Sequence, residues 1–437
     1  MKYFSNVTRI VACLFVLLIS NFFGFGARAD DCVLGTAGCD PEFTMTTTSD
    51  TSSFSFRISA AGTYYLDCGN GDAVRTINKT STGAETITCS YANAGVHTIG
   101  LSGQATEYAS TINPAAIDFK ENTKLAGISG SLGAIFGTLP NNEYKVPSFY
   151  NTFSKCTNLK GNIPAELFAG VNGQPREFMF YKTFYGCHQL TGSIPENLFA
   201  GIKGKPVQYL FGDTFSKIVD TSSKTYPLMG LTGEIPENLF AGISGAPAEA
   251  MFKRTFYGCA GLTGSIPEKL FAGLDGAPTN ELFHTTFRGC SGLTGEIPEN
   301  LFAGIKGVPA VGMFESTFAS ELASKHGDKA LMKLSGAIPE NLFGGISGAP
   351  ADRMFYNTFY RCEKLTKIPA GLFAGIKGAP ATDMMDWMFE WCTGLTEFVP
   401  PELFAGITST NYTAGAMSGI FENSNMATSC HLVMHSL

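Results

Sequence analysis

The sequence predicts two folds in succession, a small all-β sandwich and then an α/β solenoid built from 31-residue turns. Three observations carry this expectation. A proline recurs at Pro164, Pro195, Pro236, Pro267, Pro298, Pro339, Pro369 and Pro400, with spacings of 31, 41, 31, 31, 41, 30 and 31. A fixed period in this range marks a solenoid, whose turns bury their apolar sides only against one another. Gly (50) and Phe (36) are abundant and Trp is nearly absent at two, the usage of one short unit written many times. Ahead of the repeats lies a Thr-, Ser- and Tyr-rich stretch with alternating segments such as Phe54-Ser55-Phe56-Arg57-Ile58, separated by Gly-rich turns.

The elements follow in order. Residues 1–29 read as a secretory signal: Lys2 and Arg9 supply the positive start, Ile10–Phe25 is nearly all apolar, and Ala27-Arg28-Ala29 forms the small-x-small cleavage site. Export into a disulfide-permissive compartment is therefore expected, with no membrane span once the signal is removed. Residues 30–42 hold Cys32 and Cys39, expected to close a short loop, and 43–110 form the sandwich, where Cys68 and Cys89 fall on candidate strands that a bridge can join. Asp67, Asn70 and Asp72 offer oxygen ligands for calcium, but no later ligand follows with calcium-loop spacing, which favours a polar turn.

The solenoid is expected over 115–437. Its unit is clearest at Leu262-Thr263-Gly264-Ser265-Ile266-Pro267-Glu268-Lys269-Leu270-Phe271-Ala272-Gly273. Leu-Thr-Gly-x-Ile-Pro reads as a short strand ended by proline. Glu-x-Leu-Phe-Ala-Gly reads as one helical turn closed by glycine, and Ala-Pro opens a second helix. In that helix Phe252, Phe256 and Cys259 fall at i, i+4 and i+7 on one apolar face. Corresponding phenylalanines are expected to stack from rung to rung.

Two family resemblances attach to these residues. Tyr64–Asp72 followed by Tyr91–Ile99 resembles the PKD-type immunoglobulin-like domain. The L-T-G-x-I-P-x-x-L-F pattern resembles the leucine-rich repeat, and F-x-x-C-x-x-L-T resembles the BspA-like repeats of bacterial surface proteins, with a unit longer than theirs. The resemblance implies surface display and binding of a protein or host-cell ligand.

A second period overlies the first. Cys156, Cys259 and Cys362 are separated by 103 and 103, a three-rung block. The long rungs carry insertions at Ser216–Gly230 and Ala319–Lys333, about 14 Å apart at ~4.8 Å per rung. Repeat insertions often map to a binding edge, which makes Lys217, Asp220, Lys224, Tyr226, Glu321, Lys325, His326 and Asp328 candidate ligand contacts, with tolerated drift of surface loops as the alternative reading. Phe421 falls 103 residues after Phe318 of the preceding long rung, and Leu437 falls where the next strand should start, so the sequence either continues beyond Leu437 or ends in a tail that folds back as its own cap. Adjacent rungs pair Cys156 with Cys187, Cys259 with Cys290 and Cys362 with Cys392, either as bridges or as buried thiols. Cys430 is left over. Trp387 and Trp391 occupy outward positions, as a ligand platform or as packing beneath the C-terminal tail.

The formal charge of −7 and the lack of basic runs exclude a nucleic-acid ligand. His431 and His435 lack the glutamate of a zinc motif, and no nucleophile or phosphate-loop motif is present. The Glu196, Glu237, Glu268 and Glu299 row reads as a solvated edge rather than a catalytic pair. No enzyme activity and no cofactor are expected. The sequence points to a surface adhesion or recognition protein using an extended face, with a self-associating surface-layer or matrix component as the alternative.

Overall fold

A computed structural model describes residues 34, 39–111, 113–142, 144–219, 227–322, 329–408 and 416–426. The proposed signal and Cys32 lie outside the described residues. In chain order come β1 (Phe43–Thr47), β2 (Thr51–Ile58), β3 (Ala61–Asp67), β4 (Arg75–Lys79), β5 (Glu85–Gly95), β6 (Thr98–Glu107), β7 (Ile117–Asp118), β8 (Leu125–Gly130) and one short helix, α1 (Leu132–Ile135). Alternation dictates the strands: along β2, Phe54, Phe56 and Ile58 are buried while Ser53, Ser55 and Arg57 face water. Antiparallel pairing gives a five-stranded sheet in the order β4-β3-β6-β1-β8 and a three-stranded sheet in the order β5-β2-β7. A disulfide from Cys68, one residue past β3, to Cys89 on β5 ties the two sheets together.

Two of these strands also begin the repeats. On the far side of β8 the Lys160 amide donates to the Ala126 carbonyl at 3.1 Å. At β7 the Phe119 amide donates to the Thr152 carbonyl at 2.7 Å, and the Thr152 hydroxyl and Cys156 thiol donate back to the carbonyls of Ile117 and Phe119 at 3.0 Å each. Residues 115–138 thus form a first rung shared between the sandwich and the repeats.

Later rungs stack through three hydrogen-bonded ladders. The first joins the Leu-Thr-Gly segments in parallel, from Gly161 with Leu190 onward. Its paired strands are β9 (Thr232–Glu234) with β10 (Gly261–Thr263), β11 (Thr294–Gly295) with β14 (Lys333–Leu334), and β15 (Gly336–Ala337) with β16 (Leu365–Lys367). A small hairpin of β12 (Glu321–Leu322) and β13 (Lys329–Ala330) opens the second insertion. The second ladder is a row of parallel bridges from Gly173 with Ile202 to Gly378 with Ile407. The third joins the Phe-rich segments.

That third ladder overturns the expected α/β leucine-rich-repeat solenoid. Among the described residues strands make up 24% and helix only 1%. Where a second helix was expected, every fourth residue is left-handed: Phe178, Lys182 and Gly186 in one rung, Arg353, Asn357 and Arg361 in another. An α-helix excludes such residues. Amides instead alternate between two partners. Tyr181, Thr183 and Tyr185 donate three residues back within the rung, while Phe180, Lys182 and Phe184 donate to Leu210, Gly212 and Thr214 of the next rung. The i, i+4 spacing of Phe252 and Phe256 suits this run of four-residue turns as well as it suits a helix. The Leu-Phe-Ala-Gly corner is likewise two successive turns, with Leu198 donating to Pro195 and Ala200 to Asn197.

The side chains inside obey the rung period. Phe153, Phe184, Phe215, Phe256, Phe287, Phe318, Phe359, Phe389 and Phe421 stack at 5.4–5.9 Å, and the column starts on Phe119 of the shared rung at 5.3 Å. A second column runs from Phe149 to Phe355 and a third from Phe168 to Phe404. Beside them, hydroxyls of Thr183, Thr214, Thr255, Thr286, Thr317 and Thr358 donate to the Phe carbonyl of the preceding rung at 2.9–3.0 Å.

The repeat cysteines follow the same rule, which removes the bridged alternative. Cys156, Cys187, Cys259, Cys290, Cys362 and Cys392 are free and buried. Each thiol donates to a Phe carbonyl one rung back, at 2.9–3.2 Å. Burial pushes the Cys156 and Cys392 thiols up to about 12, so they stay protonated and unreactive. Cys39 is disulfide-bonded.

Alkylation followed by peptide mass spectrometry checks this assignment. Under native conditions the six repeat thiols should resist iodoacetamide, and in denaturant without reductant all six should label. Cys68 and Cys89 should label only after reduction.

Candidate functional site

Outward side chains on the turn ladder sit in columns, so residues one rung apart become neighbours although 28 to 41 positions separate them. Asp213, fully buried, is held by the Arg254 fork, Nε to Oδ1 at 2.7 Å and Nη2 to Oδ2 at 3.0 Å. Lys253 pairs with Glu281 at 2.5 Å. Arg353 grips Glu315 through both fork nitrogens at 2.9 and 2.7 Å, with His284 Nδ1 standing 3.6 Å from the same carboxylate. Burial raises the Glu315 pKa, but the Arg353 fork and the His284 ring outweigh it and hold the group at about 2.

The two insertions meet on this face. Lys217 Nζ lies 2.7 Å from Glu321 Oε1, although the two are 104 residues apart in sequence. Both side chains are about nine-tenths buried, at 10% and 11% exposure. Tyr257 donates to Oε1 at 2.9 Å and Arg288 Nε to Oε2 at 2.8 Å, so the carboxylate is fully engaged. Burial works to raise the Glu321 pKa, but Arg288 and Lys217 lower it overall. Two glycines admit the contact. A Cβ on Gly258 would stand 2.7 Å from Lys217 Cδ, and one on Gly289 would stand 2.8 Å from Glu321 Cβ, with both residues left-handed at φ +77° and +72°.

Lys217 and Glu321 are therefore spent on each other and are not free ligand contacts. Asp220, Lys224, Tyr226, Lys325, His326 and Asp328 lie outside the described residues, as do Cys430, His431, His435 and Leu437. Trp387 is half-buried, edge-on to Tyr356 at 5.4 Å, and a Cβ on Gly419 would lie 2.4 Å from its ring. Arg361 covers Trp391 at 4.5 Å. Both indoles are packed, and neither offers a free platform. At the sandwich turn, Asn70 Nδ2 donates to Asp72 Oδ2 at 2.7 Å, and Asp67 Oδ1 accepts from the Gly69 amide at 2.8 Å. The turn satisfies itself.

A different face carries an open cleft of about 730 Å³ over the proline corners of four rungs. Pro195, Pro236, Pro267 and Pro298 line it with Glu196, Glu234, Glu237, Glu268 and Glu296. Each proline ends its strand, and the residues flanking the Ile-Pro pair are thrown outward. Within the cleft, Glu237 has Lys269 at 3.8 Å and Glu268 accepts from Asn300 at 2.7 Å. The sequence reading noticed one glutamate column and missed Glu234 and Glu296, which lie two positions before the proline. Aligning rungs and reading down each column is the signal that exposes them, and it also pairs Asp213 with Arg254.

No protein-family model, curated protein or solved structure matches the chain.

Two predictions test the ion pairs. Glu321→Met should lower the unfolding free energy by about 3 kcal/mol, because it leaves buried cations unpaired. The Lys217→Met/Glu321→Met double variant should lose less, as read by urea denaturation. Glu315 has a folded pKa near 2 against 4.5 when unperturbed, so its stabilisation is present in full above pH 4.5 and lost as pH falls toward 2. The stability gap between wild type and Glu315→Gln should close over that window.

Proposed function

We propose that the chain is an exported surface recognition protein that binds a protein ligand along its rungs. The observation that carries this reading is the proline-corner cleft, which spans four rungs and is lined by exposed carboxylates. A partner segment that is extended and basic fits such a surface, because each rung repeats the same charge at ~4.8 Å. The Cys68–Cys89 disulfide supports passage through an oxidising compartment. Among the described residues no helix is long and apolar enough to cross a membrane. No group of three metal-ligating side chains is found there either.

Fluorescence anisotropy with a labelled octalysine peptide tests the cleft in the full chain. Glu234→Gln/Glu237→Gln/Glu296→Gln should weaken binding at least fivefold at 50 mM salt, with an unchanged circular dichroism spectrum. Equal binding by the variant and the wild type overturns the assignment.

A further inference from the structure

We infer that the N-terminal sandwich is the folding template and permanent cap of the repeats rather than an independent binding module. The shared rung supplies its carbonyl acceptors from extended strand. Ile117 in β7 and Phe119, one residue past its end, are two residues apart and accept from Thr152 and Cys156. One rung later the equivalent acceptors, Phe149 and Phe153, are four residues apart and accept from Thr183 and Cys187. Between these acceptors the first rung has no left-handed residue, whereas one rung later Asn151 is left-handed between Phe149 and Phe153; the first rung's own left-handed residue, Glu121, comes only after them. Left-handed residues are unfavourable in an isolated segment, and half of each segment's amides find partners only in a neighbour. β7 is held independently, by pairing with β2 and by the Arg57–Asp118 ion pair. β8 is held by β1.

Further contacts lock the junction. The Arg176 guanidinium donates to the carbonyls of Ala109 and Ser110 at 3.0 and 2.8 Å, and the Tyr108 hydroxyl donates to Gly137 at 2.6 Å. Order therefore spreads from the sandwich outward, and loss of order runs the other way. This sets the repeats apart from arrays in which any unit can start folding.

Hydrogen exchange on the full chain, read by mass spectrometry, tests the polarity. Phe119→Ala should speed amide exchange tenfold or more in every turn segment from 149 to 421. Phe389→Ala should do so only from about 353 onward. Should Phe119→Ala fail to accumulate as soluble protein, Phe119→Leu takes its place, with a threefold change across the same span as the expected result. An effect of either Phe119 variant confined to β2, β7 and the first turn segment overturns the inference.

Discussion

The structure depends on one constraint: each turn segment keeps only half of its backbone amides to itself. A helix satisfies its interior amides within the segment, and a β-strand sends them to neighbouring strands. Here Thr183 and Tyr185 bond within the rung while Phe180, Lys182 and Phe184 bond to the next. Left-handed residues such as Lys182, Arg254 and Asn357 are tolerated because this alternation requires them. Their strain, of order 1 kcal/mol each, is offset by the inter-rung bonds and by buried Phe columns, whose ring contacts add roughly 0.5–1.5 kcal/mol per pair. Neither contribution exists in an isolated rung.

The same constraint decides where the chain can depart from the period. Insertions leave the rung three residues past the Phe153–Phe421 column, at the position where the remaining rungs of each block place a cysteine. In the long rungs that position holds Ile218 and Glu321. The first packs over Gly186, and the second turns inward to Lys217, Tyr257 and Arg288. An insertion there interrupts one thiol-to-carbonyl bond and leaves the Phe and Thr columns intact. The buried carboxylate restores a link that spans the short rungs between the two insertions.

Much of this was legible in the sequence and some was not. The period, the Phe columns and the inward Leu and Ile positions followed from repetition alone. The mistaken helices arose because an i, i+4 apolar spacing is common to a helix and to a ladder of four-residue turns. Residues such as Phe178, Arg353 and Asp383 carry no mark of left-handed backbone. The cysteines were undecidable from spacing, since a thiol that donates to a carbonyl and one that bridges occupy the same adjacent-rung positions. The Lys217–Glu321 pair was hidden because rung spacing predicts about 14 Å between the insertions, and only flat, side-chain-free glycines let two long side chains close that gap.

A repeated rung also changes how surface charge acts. At physiological ionic strength electrostatic screening sets in over about 8 Å, while rungs follow at ~4.8 Å. Neighbouring carboxylates along the proline corners therefore lie within one screening length of each other, and Glu234, Glu237, Glu268 and Glu296 act as a line of charge rather than as separate groups. A small cation meeting that line gains the field of one or two residues, and water competes for it. An extended cationic chain in register gains from every rung it crosses, and it loses little freedom per added contact once the first are made. The proline corners supply a rigid floor on which that register can be kept. On the proposed function, affinity for this surface scales with the length of the partner, which is the property that separates an extended recognition face from a pocket.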